Sequence, residues 1–148
     1  MPLSASDEIR VQVVGVFEHQ VVFHNQEQRI PVLLVRDASE RELHLPIGSC
    51  EGLAIHIALE QQLVPRPLTH DLGLRILERL SADLDRVVID GLSEGGCHAT
   101  VHLRTADSEL TVDTRAGDAV ALALRAEAPI YVTEELLARA SESDADGF

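Results

Sequence analysis

The apolar positions of the chain change period twice, and those changes outline its elements. Residues 9–17, IRVQVVGVF, read as a strand from their β-branched content, with Gly15 a candidate bulge. Residues 20–37 read as a hairpin, two apolar runs around a polar turn at 24–28, with Pro31 confined to an edge or a strand start. A further short strand over 41–48 is stopped by Pro46 and Gly48. From residue 49 the period becomes helical: Leu53, Ala54, Ile57 and Ala58 share a face that Ile55 and Leu59 widen. That predicts a helix over 49–63, capped by Ser49 and buried on most sides. After the Pro65/Pro67 turn, Thr69 is placed to cap a second helix with the apolar stripe Leu72, Ile76, Leu77 and Leu80. Three strands follow at 85–92, 97–105 and 109–115, then an alanine-rich helix over 117–128 ended by Pro129. A short strand PIYV and a last helix capped by Thr133 complete the pattern.

Antiparallel runs interrupted by grouped helices predict an α+β domain: a mixed, largely antiparallel sheet carrying three to four helices. The domain is expected over 9–140, between a disordered start at 1–8 and a disordered acidic tail at 141–148. Length agrees, since 148 residues with 45% hydrophobic content suit a single core. No apolar run is long enough to cross a bilayer, so no membrane partner is expected. The N-terminus lacks the basic and apolar stretches of a signal peptide, and Cys50 and Cys97 form no paired spacing. Both features point to a reducing cytoplasm.

Charge complicates any affinity for polyanions. Twelve cationic residues, all arginine, face 25 acidic ones, for a net charge of −13. Such a surface repels nucleic acid at long range unless arginines or metal ions cluster locally. With one tyrosine, three phenylalanines and no tryptophan, aromatic platforms for bases are scarce.

Candidate chemistry gathers at predicted helix starts. Glu51, Asp71 and Asp118 each fall in a first turn, where a carboxylate meets free N–H groups and the positive end of the dipole. Capping alone accounts for each one singly. Converging in one cleft, they would suit a hard divalent cation. Asp113 shares a strand face with Thr111 and Arg115, which fits a solvated cross-strand pair and a phosphate-facing strand end equally well. His98 and His102 also share a face, but four strand residues separate them by about 13 Å, too far for one ion. His70 is the best-placed imidazole, behind Arg66 and beside Asp71, although adjacent helical residues do not face each other. Cys50, without a partnered base, reads as a small apolar filler. No Walker loop, GxGxxG, GxSxG or HExxH motif is present.

Two blocks, LHLPIGSCEGLAIHIALEQQLVPRPLTHDL (43–72) and VDTRAGDAVALALRAEAPIYV (112–132), resemble the two signature blocks of the bifunctional nuclease domain family. The resemblance covers about residues 9–137, and Glu51, Arg66, Pro67, Thr69, His70, Asp71, Asp113, Arg115 and Asp118 match the family pattern by position. Departures are Ala116-Gly117 for the family's Pro-Ser, Gly52 for its alanine, and Cys97-His98-Ala99 for Phe-Tyr-Ala. The resemblance implies an α+β domain that tends to oligomerise and nuclease activity on DNA and RNA. On that reading Asp71, Asp113 and Asp118 would hold Mg²⁺ or Mn²⁺. Glu51 or His70 would serve as general base, and Arg66 with Arg115 would clamp the phosphate. The alternative is a non-catalytic oligomeric scaffold or ligand-binding module. Apolar surface on the first and third helices, more than one core needs, predicts a homo-oligomer.

Overall fold

The computed structural model describes residues 7–93 and 96–145, with side chains described as far as residue 140. Four helices and a seven-stranded sheet form one α+β domain. The strands are β1 (Glu8–Phe23), β2 (Gln26–Asp37), β3 (Glu42–Pro46), β4 (Asp83–Ser93), β5 (Gly96–Arg104), β6 (Glu109–Arg115) and β7 (Ile130–Thr133). The helices are α1 (Ser49–Leu59), α2 (Thr69–Arg79), α3 (Ala116–Ala126) and α4 (Glu134–Ala145). Strand order is β3-β2-β1-β7-β4-β5-β6, and every pairing is antiparallel except β4 with β7.

The first expected strand and the first arm of the expected hairpin are one strand. β1 continues through Glu18-His19-Gln20 because this outer arm buries nothing, so polar residues carry no penalty there. The turn is tighter than the polar stretch suggested. His24 and Asn25 both take positive φ, 51° and 62°, a two-residue turn whose twist suits a hairpin, and pairing resumes at Phe23 and Gln26. The expected bulge is present, as the register shifts between Val13 and Gly15.

α3 crosses from β6 to β7, which inserts between β1 and β4. Its small residues let it run through the core: Ala116, Ala119, Val120, Ala121 and Ala123 are buried against Leu33, Val35, Ile55, Val87, Ile89 and Val132. α1 and α2 pack beside it, Gly73 of α2 approaching the Leu122 side chain. At the other end, Arg41 donates to Asp37 at 2.8 Å and to both carboxylate oxygens of Glu134 at 2.7 and 2.8 Å, tying the β2–β3 turn to α4.

Several boundaries differ from expectation. Gly48, not Ser49, is the N-cap of α1, and the helix stops at Leu59, where the expectation ran to 63. Leu68, not Thr69, precedes α2, and Arg115 precedes α3. α4 extends to Ala145, into the segment expected as tail; residues 146–148 lie outside the described residues, as do 1–6. The apolar surplus expected on α1 and α3 is present on α1, at Leu53 and Leu59, but not on α3. α3 spends its apolar face on the domain's own core, whereas the α2 stripe is outward, with Leu72 53%, Ile76 49% and Leu80 72% exposed. Of that stripe Leu77 packs against the core. Cys50, expected as filler, is exposed. Among the described residues no helix is long and apolar enough to cross a membrane.

Candidate functional site

The first turn of α3 is where most of the expected residues assemble. β6 delivers Arg115 to the N-cap position, and the helix begins at once. Gly117, its second residue, lies under Glu51 of α1: a Cβ at 117 would sit 3.0 Å from the Glu51 Cβ. A Cβ at Gly48 would collide with the Glu51 carboxylate itself. The carboxylate is therefore held over the start of its own helix and beside the start of another. Both helix starts lack a side-chain cap, so their terminal N–H groups remain available. A cavity of about 250 Å³ opens here, lined by Ile47, Gly48, Glu51, Cys97, Arg115 and Gly117. Glu51 is half-buried, and neither it nor Arg115 makes a hydrogen bond or ion pair among the described residues. A half-buried carboxylate without a donor, an arginine and two positive helix ends make a site with affinity for an anion and a base beside it. The Cys97 thiol in the same wall is pushed up to about 12 by burial and by Asp90, so it stays protonated and unreactive.

His70 and Asp71 turn to different partners, as their adjacency on one helix requires. His70 Nε2 lies 2.8 Å from Asp118 Oδ1, joining the first turn of α2 to the first turn of α3. The imidazole is the buried member, 11% exposed against 37% for the carboxylate. That arrangement suits a positioning residue more than a proton shuttle facing solvent.

Asp71 is fully engaged. One oxygen accepts the Leu68 N–H at 2.9 Å, which caps α2 in place of Thr69. The other accepts Arg125 Nε at 2.7 Å. Arg125 is 8% exposed and also donates to Ala121 O at 2.9 Å and Ala54 O at 3.1 Å, so one guanidinium ties α1, α2 and α3 together. Burial works against ionisation of Asp71. The Leu68 amide, Arg125 and Arg75 together outweigh it and leave the carboxyl below its ordinary range.

Arg66 lines a second cavity, of about 420 Å³, with Asp71, Arg75 and Arg125. Arg66 and Arg115 thus face different cavities, and the expected two-arginine clamp on one phosphate does not form. Asp113 stands opposite Thr100 on exposed β6, and Arg115 opposite His98. Thr100 donates to Asp90 at 2.6 Å, and His98 Nδ1 lies 3.3 Å from the same carboxylate, its ring in the space a side chain at Gly91 would fill.

These placements decide how the acidic residues fit a shared ion. Asp71 has given both oxygens to donors, Asp118 faces His70, and Asp113 stands on the sheet. Among the described residues no three His, Cys, Asp or Glu side chains group as a ligand set. The expected Mg²⁺ or Mn²⁺ site at Asp71, Asp113 and Asp118 therefore does not fit the arrangement within one chain. Arg125, which organises the cluster, carries one sequence signal: beyond the first turn it is the only charged residue of an alanine-rich helix. Asp90 carried none.

A family model described as the bifunctional nuclease domain matches residues 32–145. Two Mycobacterium tuberculosis proteins, the uncharacterized protein MT1877 of strain CDC 1551 / Oshkosh and the uncharacterized protein Rv1829 of strain ATCC 25618 / H37Rv, are similar to the chain. Each is 44% identical over 133 residues, 88% of this chain and 74% of the relative.

Proposed function

The chain belongs to the bifunctional nuclease domain family, and from that membership we propose that it hydrolyses phosphodiester bonds of DNA or RNA at the cavity before α3. The observation that carries this reading is the convergence of Glu51, Arg115 and the N-termini of α1 and α3 on one cavity. In the proposed reaction Arg115 and the helix amides hold a phosphate, and Glu51 accepts a proton from the attacking water. The new P–O bond forms as the ester P–O bond breaks, and the leaving oxygen takes a proton from solvent. His70 and Asp118 act at one remove, fixing α2 against α3. Asp71 holds the three helices together through Arg125. No step is routed through a metal ion: Asp71 is committed to Leu68 and Arg125, Asp118 faces His70, and Asp113 stands apart on exposed β6.

The test is cleavage of end-labelled single-stranded DNA and RNA with Mg²⁺, with Mn²⁺ and with chelator. Cleavage that persists in chelator supports this reading. Cleavage lost in chelator would overturn the metal-free step and favour an essential divalent ion. Absence of cleavage in all three conditions favours the alternative of a non-catalytic oligomeric scaffold. One feature supports self-association under either reading: Leu72, Ile76 and Leu80 form an exposed apolar row along α2. Exposed apolar rows of this kind mark association surfaces, and we assign a homo-oligomer contact to this face.

A further inference from the structure

The net charge of −13 is unevenly distributed where it matters for a polyanion. Seven of the twelve arginines (Arg29, Arg36, Arg41, Arg86, Arg104, Arg125 and Arg139) are in ion pairs within the chain. Among the described residues the other five are Arg10, Arg66, Arg75, Arg79 and Arg115, without an ion pair. Three of these five, Arg66, Arg75 and Arg79, lie on α2 or in the cavity beside it. Arg115 is in the α3 cavity, Arg66 and Arg75 line the larger one, and Arg79 follows Arg75 by one turn of α2. The two cavities have no lining residue in common; the first turn of α2 connects them indirectly, His70 facing Asp118 of α3 and Asp71 facing Arg125.

We propose that the cavity between residues 62–67 and α2, continued along the helix by Arg79, binds the sugar–phosphate backbone of a single-stranded nucleic acid. Arg66, Arg75 and Arg79 would be its phosphate contacts. The inference rests on the reading that the neighbouring cavity acts on nucleic acid and adds to it how the strand is held. Four helical residues place Arg75 and Arg79 about 6 Å apart along the axis, a separation that suits neighbouring phosphates of an extended strand. Cations remain in excess: Arg66, Arg75 and Arg125 line the wall against Asp71 and Glu78, Asp71 being paired with Arg125 and also near Arg75, and Arg79 adds a further cation on α2. A single strand is favoured over a duplex on two grounds. It carries one charge per about 3.4 Å, where a duplex carries one per about 1.7 Å, so it meets half the repulsion from the acidic remainder. A cavity of about 420 Å³ also admits a nucleotide unit and not a double helix. No aromatic side chain lines it, so the contact is to phosphate and does not depend on base identity.

The experiment is a fluorescence-anisotropy titration of a labelled 20-nucleotide thymidine strand in chelator, over a series of salt concentrations. The variants are Arg75→Gln/Arg79→Gln and, as control, Arg10→Gln, an arginine of β1 without an ion pair among the described residues. At about 0.7 per phosphate contact, losing two contacts lowers the log–log salt slope by about 1.4 and weakens binding about 25-fold at 0.1 M salt. Arg10→Gln is expected to match wild type. Because all three side chains are exposed or unpaired, melting temperatures should agree among the proteins. The proposal is overturned if the double variant keeps the wild-type slope, if Arg10→Gln weakens binding equally, or if wild type does not bind the strand. Arginine-dependent binding by a protein that cleaves no nucleic acid would uphold this track while removing the catalytic reading beside it.

Discussion

Replacing Asp71 by asparagine separates its architectural role from a metal-ligand role. Asparagine keeps an acceptor for the Leu68 amide but removes the charge that Arg125 meets at 2.7 Å. Stripping a fully buried ion of its partner costs about 3–5 kcal/mol. Here the cost is lower, because Arg125 keeps the Ala121 and Ala54 carbonyls and the Asp71 side chain is 29% exposed. A charge-assisted hydrogen bond of about 1.5–3 kcal/mol is the better guide, which gives about 2 kcal/mol for Asp71→Asn. Asp71→Ala also loses the cap, about 1 kcal/mol more. At about 2–4 °C per kcal/mol for a chain near this length, asparagine should lower Tm by about 4–8 °C and alanine by a further 2–4 °C. The pH dependence follows from the depressed carboxyl. Its stabilisation is fully present above the ordinary value of 3.8 and is lost as pH falls through the lower folded value. The wild-type advantage should therefore be constant above about pH 5 and shrink as pH falls below about 4. Glu8 and Glu134, also depressed, remain in both proteins and cancel from the difference. Differential scanning calorimetry across pH measures this. A variant that melts like wild type, yet loses divalent-cation binding measured by titration calorimetry, would refute the architectural role.

Asp118→Asn, whose carboxylate is 37% exposed, should cost about 1 kcal/mol in both Mn²⁺ and chelator. A melting temperature that rises in chelator would instead indicate a self-repelling metal cluster. Iodoacetamide at pH 8 should label exposed Cys50 in the native protein and reach Cys97 only after unfolding, since that thiol ionises at about 12; mass spectrometry counts the adducts. Light scattering at micromolar concentration should give a multiple of the 16.1 kDa chain mass, and Ile76→Glu/Leu80→Glu should reduce it to that value. A wild-type mass equal to one chain would remove the α2 contact.

Much of the fold is legible because burial enforces period. The buried apolar run of β4 and the alanine-rich third helix appear where the pattern places them, each within one or two residues; the strand at 109–115 forms as expected too, although Leu110 and Val112 are half exposed. The hairpin arm is less legible because nothing buries it, so Glu18-His19-Gln20 looked like an interruption. The α2 stripe is legible as a stripe, but the pattern does not say what covers it: Leu77 packs on the core, whereas Leu72, Ile76 and Leu80 face outward. At the site, sequence spacing identifies the helix starts that carry Glu51, His70, Asp71 and Asp118. It does not identify partners. Asp71 meets an arginine 54 residues away and His70 a carboxylate 48 residues away, pairings made only by the packing of α2 on α3.

The central claim is that Glu51 acts as the base in the cavity between α1 and α3. Single-turnover cleavage of a labelled single strand by wild type and Glu51→Gln, with melting temperatures measured in parallel, tests it directly. Glutamine keeps the shape over Gly48 and Gly117 but cannot accept the proton, so the rate should fall about 10²- to 10⁴-fold while Tm holds within a few degrees. A Glu51→Gln protein that folds and cleaves at the wild-type rate would contradict the account.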